Sequence, residues 1–162
     1  MRGKVDIEKA IQWIEKNCRI QDATGPGTVP AILTDSQKII LRNSPALRLE
    51  RDTSVTWKPR QIGSSTAVLC LISYLMFEFP GISIAWLSKA HEDHKKFRRK
   101  WNIIIESLMN SSIRYPYSKR DSEDEYQLSN GSTLIWSFAG KTESKASDAG
   151  RGDTFHLLIA TE

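Results

Sequence analysis

The sequence predicts an α/β fold, a mainly parallel sheet with helices on both faces, on three observations. Residues 53–57 are β-prone and run through a Gly-bearing turn into the apolar stretch 67–79. Ile82-Ser83-Ile84-Ala85-Trp86-Leu87-Ser88 then alternates as a strand after the stop at Pro80-Gly81, so strand, helix and strand call for a right-handed parallel crossover. Residues 155–162 supply a further apolar strand suited to a buried parallel position.

The other elements follow in chain order. Residues 5–18 place Ile7, Ile11, Ile14 and Cys18 at helical spacing, with Glu8, Lys9, Glu15 and Lys16 on other faces. Residues 19–30, with Gly25-Pro26-Gly27 and Pro30, read as a loop. Thr34-Asp35-Ser36-Gln37 has the form of a capping box opening a short helix that Asn43-Ser44-Pro45 ends. The helix at 65–79 is apolar nearly all round and therefore needs burial against a sheet. Residues 89–109 form a long helix with Ala90, His94, Phe97, Trp101, Ile104, Ile105 and Leu108 down one side. Residues 115–125 read as a polar, acidic loop, and 125–129 and 132–138 flank Asn130-Gly131 as a hairpin.

Residues 55–66, Val-Thr-Trp-Lys-Pro-Arg-Gln-Ile-Gly-Ser-Ser-Thr, place a strand, a loop and a helix start in succession. Loop N–H groups and the unpaired N–H groups of a first helical turn converge there, and the helix dipole adds roughly half a positive charge, so a phosphate is the expected guest. A Walker A loop reads G-x-x-x-x-G-K-[ST]; with Gly63 as its second Gly, Lys58 stands at the first Gly and Ser64 at the Lys, while Ser65 and Thr66 fit. The bland alternative is a strand-to-helix turn with a Ser N-cap. Lys58 and Arg60 can supply the cation that phosphate transfer needs. Gln37 either caps its own helix or bonds an adenine edge.

With 162 residues and 40% hydrophobic content, the chain is long enough for one full core. A net charge of +4 suits a polyanion without demanding one. Lys95, Lys96, Arg98, Arg99 and Lys100 can track a phosphate backbone or form a solvated face, and His91-Glu92-Asp93-His94 offers metal ligands with no third set nearby. Cys18 and Cys70 show neither metal spacing nor a disulfide framework, which fits a reducing compartment. Residues 67–79 fall short of the roughly 18 that a membrane span needs, and no apolar signal segment opens the chain, so a soluble, cytoplasmic protein is expected.

In order and spacing these pieces resemble the ATPase domain of the phage large terminase subunit, the DNA-packaging motor of tailed double-stranded DNA phages and prophages. The resemblance rests on the leading helix, the Gln37 segment, Lys58-Pro59-Arg60-Gln61-Ile62-Gly63-Ser64-Ser65-Thr66, the hairpin with its Asn130-Gly131-Ser132 turn, Arg151-Gly152 and the last apolar strand. It covers nearly the whole chain. The family loop often reads Arg-Gln-x-Gly-Lys-[Ser/Thr]-Thr, matched here except at Ser64; some members carry the lysine at the loop start, where Lys58 stands.

The resemblance implies a P-loop NTPase of ASCE type, with residues 1–52 forming the N-terminal helices and adenine side and residues 53–162 the ATPase core through the Walker B strand. It implies ATP and Mg²⁺ as cofactors. ATP would be bound by Lys58, Gln61, Ile62, Gly63, Ser64, Ser65, Thr66, Gln37 and Arg151, and Mg²⁺ by the hydroxyl of Ser65 or Thr66. Glu162 would orient the attacking water and Arg60 face the γ-phosphate, while Thr161 stands where the family has its Walker B aspartate. Implied partners are double-stranded DNA, the portal protein, the small terminase subunit and further copies in a ring, in host cytoplasm and transiently at the procapsid portal, with no membrane. The family continues beyond the position of Glu162 into a coupling motif and a nuclease domain, so an incomplete sheet is expected. A non-catalytic module binding nucleotide or DNA, or assembling with the motor, is the rival that Thr161 favours; a helicase-like or repair ATPase is a third reading, against which the Arg60-Gln61 loop start argues.

Overall fold

The computed structural model describes residues 5–44, 63–111, 116–138 and 155–161. Its contacts divide the chain into two units, residues 1–74 with 100–111 and residues 75–99 with 112–162. The β-prone segment 53–57 lies outside the described residues.

The first unit opens with α1 (Ile7–Asn17), whose start is fixed by Asp6: its carboxylate accepts from the N–H groups of Glu8 and Lys9. The helical spacing read from the sequence buries Ala10, Ile11 and Ile14, each Ile side chain contributing about 1.5–3 kcal/mol on full burial. Two short strands follow, β1 (Arg19–Gln21) and β2 (Thr28–Pro30), paired antiparallel with Ile20 opposite Val29. The segment expected as loop is therefore a small ribbon, with Gly25-Pro26-Gly27 confined to its turn; Asp22 N–H closes that turn on Gly27 O at 2.9 Å.

Next, α2 (Asp35–Arg42) begins at a complete capping box. Thr34 Oγ1 accepts from Gln37 N–H at 3.3 Å and Gln37 Oε1 accepts from Thr34 N–H at 2.9 Å. Two ion pairs join α2 to α1, Arg42 to Glu8 at 2.8 Å and Lys38 to Glu15 at 3.0 Å. The helices α3 (Ser64–Glu78) and α4 (His91–Met109) each contribute residues to both units. In the first unit they bury Leu69, Cys70, Trp101, Ile104 and Leu108, and Tyr74 meets Trp13 edge-on at 5.5 Å.

The second unit holds a five-stranded sheet of β3 (Ser83–Ser88), β4 (Ser118–Asp121), β5 (Glu125–Leu128), β6 (Thr133–Phe138) and β7 (Leu157–Thr161), in the order β4-β5-β6-β3-β7. This contradicts the expected mainly parallel sheet of the P-loop NTPase kind. Parallel pairing is confined to β3 with β6 and β3 with β7; β4 with β5, β5 with β6, and the β1–β2 ribbon are antiparallel. The cause is local. Gly131, at φ +85°, makes a reversal too short for any crossover, so β5 and β6 can only pair antiparallel. β4, within a stretch expected as loop, then extends the antiparallel side with all four residues exposed.

The turn is pinned as well as tight. Asn130 Nδ2 donates to Met76 O at 2.8 Å, Asn130 Oδ1 accepts from Ser132 N–H at 3.0 Å, and Ser132 Oγ donates to Phe79 O at 3.1 Å. Trp86 is the centre of this unit's core, with Phe97 at 5.0 Å and Trp136 at 6.0 Å between ring centroids. The last strand departs from its expected burial: β7 flanks β3 at the end of the sheet, and Leu158 is 64% exposed.

Candidate functional site

The start of α3 is built differently from those of α1 and α2. Gly63 O accepts the first intrahelical bond, from Ala67 N–H at 3.1 Å, which makes Gly63 the N-cap residue. Asp6 and Thr34 cap their helices with side-chain oxygens, whereas Gly63 has none to offer. Helix geometry leaves the N–H groups of Ser64, Ser65 and Thr66 without intrahelical acceptors. These are three of the residues that the phosphate-loop reading singled out.

Two features hold Gly63 as glycine. Its φ of +70° lies in the left-handed region, and a β-carbon there would meet Gln37 Nε2 at 2.5 Å. The structure thus brings together two pieces of the expected site that are far apart in sequence. Of the two readings of Gln37, the structure shows the cap. The side-chain oxygen completes the capping box while the amide nitrogen of the same group lies against Gly63.

Ser64 is 4% exposed, and its Oγ finds no hydrogen-bond partner among the described residues. A buried hydroxyl left so costs about 1–3 kcal/mol, which a bound acceptor would recover. Ser65 and Thr66 are half-buried. Thr66 lines a cavity of about 200 Å³ with Ile20, Gln21 and Lys100. Sequence reasoning missed Gln21 as a neighbour of Thr66 because β1 looked like loop. Nothing in the linear pattern pairs α3 with Lys100.

Lys58, Arg60, Gln61, Ile62, Arg151 and Glu162 lie outside the described residues. Thr161, at the end of β7, donates its hydroxyl to Leu87 O at 3.4 Å. Among the described residues no group of three or more His, Cys, Asp or Glu side chains could hold a metal ion. His91 and His94 stack at 6.1 Å, and His94 is buried edge-on to Trp136.

The basic side of α4 is largely neutralised by its own neighbours. Lys95 pairs with Glu92 at 3.6 Å and Lys96 with Asp93 at 3.2 Å. Arg98 pairs with Asp121, donates to Ser122 O at 2.9 Å, and lies 5.6 Å from the Trp136 ring centroid. Arg99 is exposed. Such pairing weakens the face as a track for a phosphate backbone, because each internal partner competes with DNA for the same cation. No helix among the described residues is long and apolar enough to cross a membrane.

A glycine N-cap with the Gln37 amide packed against it, first-turn amides without intrahelical acceptors, and a buried hydroxyl with no partner among the described residues fit an anionic group such as a phosphate. No family model matches the chain, and comparison with curated proteins gives no match.

Proposed function

We propose that this chain binds ATP at the start of α3 and serves as the ATP-binding and hydrolysing part of a phage or prophage large terminase subunit, powering the packaging of double-stranded DNA into the procapsid. One observation carries the reading: Gly63 caps α3 in a left-handed conformation against Gln37, leaving the first-turn amides of Ser64, Ser65 and Thr66 to an outside acceptor. The terminase assignment draws on the Lys58 to Thr66 loop sequence and the order of the motifs along the chain.

In this mechanism the amides of Ser64 to Thr66 donate to phosphate oxygens, and Gln37, held by its capping box, presents its amide beside them. Lys58 and Arg60 neutralise charge on the phosphates, with Arg151 as a further source. The Ser65 or Thr66 hydroxyl would hold Mg²⁺, which when bound would supply charge neutralisation to the phosphates. Glu162 orients water for attack on the γ-phosphate. The small terminase subunit, the portal protein and further copies of the chain are the partners this function requires.

A second reading, nucleotide binding without turnover, is favoured by Thr161. Its hydroxyl is engaged with Leu87 O, and a hydroxyl binds Mg²⁺ more weakly than the carboxylate it replaces. Binding and turnover of ATP with Mg²⁺, measured on the chain and on Lys58→Ala and Glu162→Ala variants, separate the two. Binding lost in Lys58→Ala with turnover lost in Glu162→Ala supports the ATPase. Binding without turnover supports the second reading.

A further inference from the structure

Of the basic run at 95–100, Lys100 is the member that belongs to the first unit, where it shares a cavity of about 200 Å³ with Ile20 and Gln21 of β1 and Thr66 of α3. Hydrogen bonds hold the walls of this cavity. Arg19 N–H donates to Ser107 Oγ at 3.1 Å, which ties β1 to α4 about two turns beyond Lys100 and on the same helix face. Gln21 Nε2 donates to Gly25 O at 3.1 Å and to Gly27 O at 3.0 Å, so its side chain is fixed across the turn of the ribbon. Thr66 belongs to the first turn of α3, where Ser64 Oγ is buried with no partner among the described residues. The described lining thus combines one positive charge, two neutral polar side chains and an apolar wall at Ile20, and such a wall strengthens an ion pair formed beside it by lowering the local dielectric. At about 200 Å³ the cavity is smaller than the roughly 300–1,000 Å³ that enclose a whole small molecule, so it suits one end of a ligand.

We propose that this cavity is a phosphate subsite with Lys100 as its cation: a phosphate held by the first-turn amides of α3 extends into the cavity, where the Lys100 ammonium and the Thr66 hydroxyl donate to its oxygens. The phosphate belongs to the ATP proposed above, and to that extent the assignment rests on that reading. Lys100 then does from a neighbouring helix what a Walker A loop does with a lysine at the position where this chain has Ser64.

The test titrates the whole chain with tripolyphosphate and with ATP, and repeats both with Lys100→Ala and Lys100→Arg. Lys100→Ala should weaken both ligands by about ten- to a hundredfold, the effect of one lost hydrogen bond between charged groups. Lys100→Arg should keep most of the affinity. The salt dependence of binding should also flatten in Lys100→Ala, because one ion pair is gone, whereas a lysine that only packs against Thr66 would leave it unchanged. Circular dichroism shows whether each variant is folded, and Lys100→Gln, which keeps the length of the side chain without its charge, replaces Lys100→Ala if that variant is not. ATP bound equally well by the unaltered chain and by Lys100→Ala would overturn the subsite and leave the nucleotide reading standing. Tripolyphosphate bound through Lys100 by a chain that takes up no ATP would keep the subsite and overturn the nucleotide reading. A folded chain that binds neither would overturn both.

Discussion

Gln37 Nε2 lies so close to Gly63 that a β-carbon on that glycine would stand 2.5 Å from it. The contact couples the capping box of α2 to the N-cap of α3. Gly63→Ala should therefore cost about 1–3 kcal/mol, since the alanine must both hold a left-handed φ and displace Gln37. Gly27→Ala is the control, because a β-carbon there meets nothing within 4 Å; it should stay within about 0.5 kcal/mol of the parent chain. Urea unfolding of the two variants checks both values.

Ser64→Ala separates stability from binding. Removal of a buried hydroxyl that has no partner among the described residues should leave stability unchanged or raise it by about 1 kcal/mol. Nucleotide affinity should fall at the same time, by about three- to tenfold for one lost hydrogen bond. Thermal unfolding without ligand and titration with ATP read the two effects on one sample. A stability loss larger than the binding loss would make Ser64 a packing residue only.

The capping box of α2 makes a graded prediction. Thr34→Ala removes the acceptor of Gln37 N–H and should cost about 1 kcal/mol, while Thr34→Ser keeps the oxygen and most of the stability. Gln37→Glu keeps an acceptor for Thr34 N–H but removes the amide nitrogen beside Gly63, so it should spare the helix and weaken nucleotide binding. Circular dichroism and the same ATP titration distinguish these outcomes.

A pH dependence follows from Glu8. The hydrogen bond from Arg42 holds its carboxyl below the usual glutamate range, against the opposing effect of desolvation. A depressed folded value means the pair stabilises the chain above the unfolded value and loses that contribution as pH falls through the folded one. Glu8→Gln should therefore differ from the parent chain at neutral pH and converge with it as the solution is acidified through the lowered folded-state value of Glu8. The difference should shrink in high salt, because the pair is exposed. Chemical unfolding at a series of pH values tests the sign.

Much of the local structure was legible in the sequence. Asn130-Gly131 announced its hairpin, Thr34 with Gln37 announced its capping box, and the spacing of Ile7, Ile11 and Ile14 announced α1. The sheet as a whole was misread because alternation identifies a strand without giving its neighbour's direction. The hairpin turn that was recognised already required antiparallel pairing on one side of β6. The short strands β1 and β4 were missed for a related reason: three or four residues with exposed or half-exposed side chains carry no burial pattern. At the candidate site, Gly63 and Ser64 to Thr66 stood out by local sequence. The approach of Gly63 to Gln37 depends on packing between distant elements, which spacing along one chain does not encode.

Calorimetric titration of the folded chain with ATP and Mg²⁺ tests the central claim most directly. The account predicts saturable binding that Lys58→Ala and Ser64→Ala each weaken, with circular dichroism showing both variants folded. A folded chain that takes up no ATP would contradict it, and the start of α3 would then be an ordinary helix N-terminus capped by glycine.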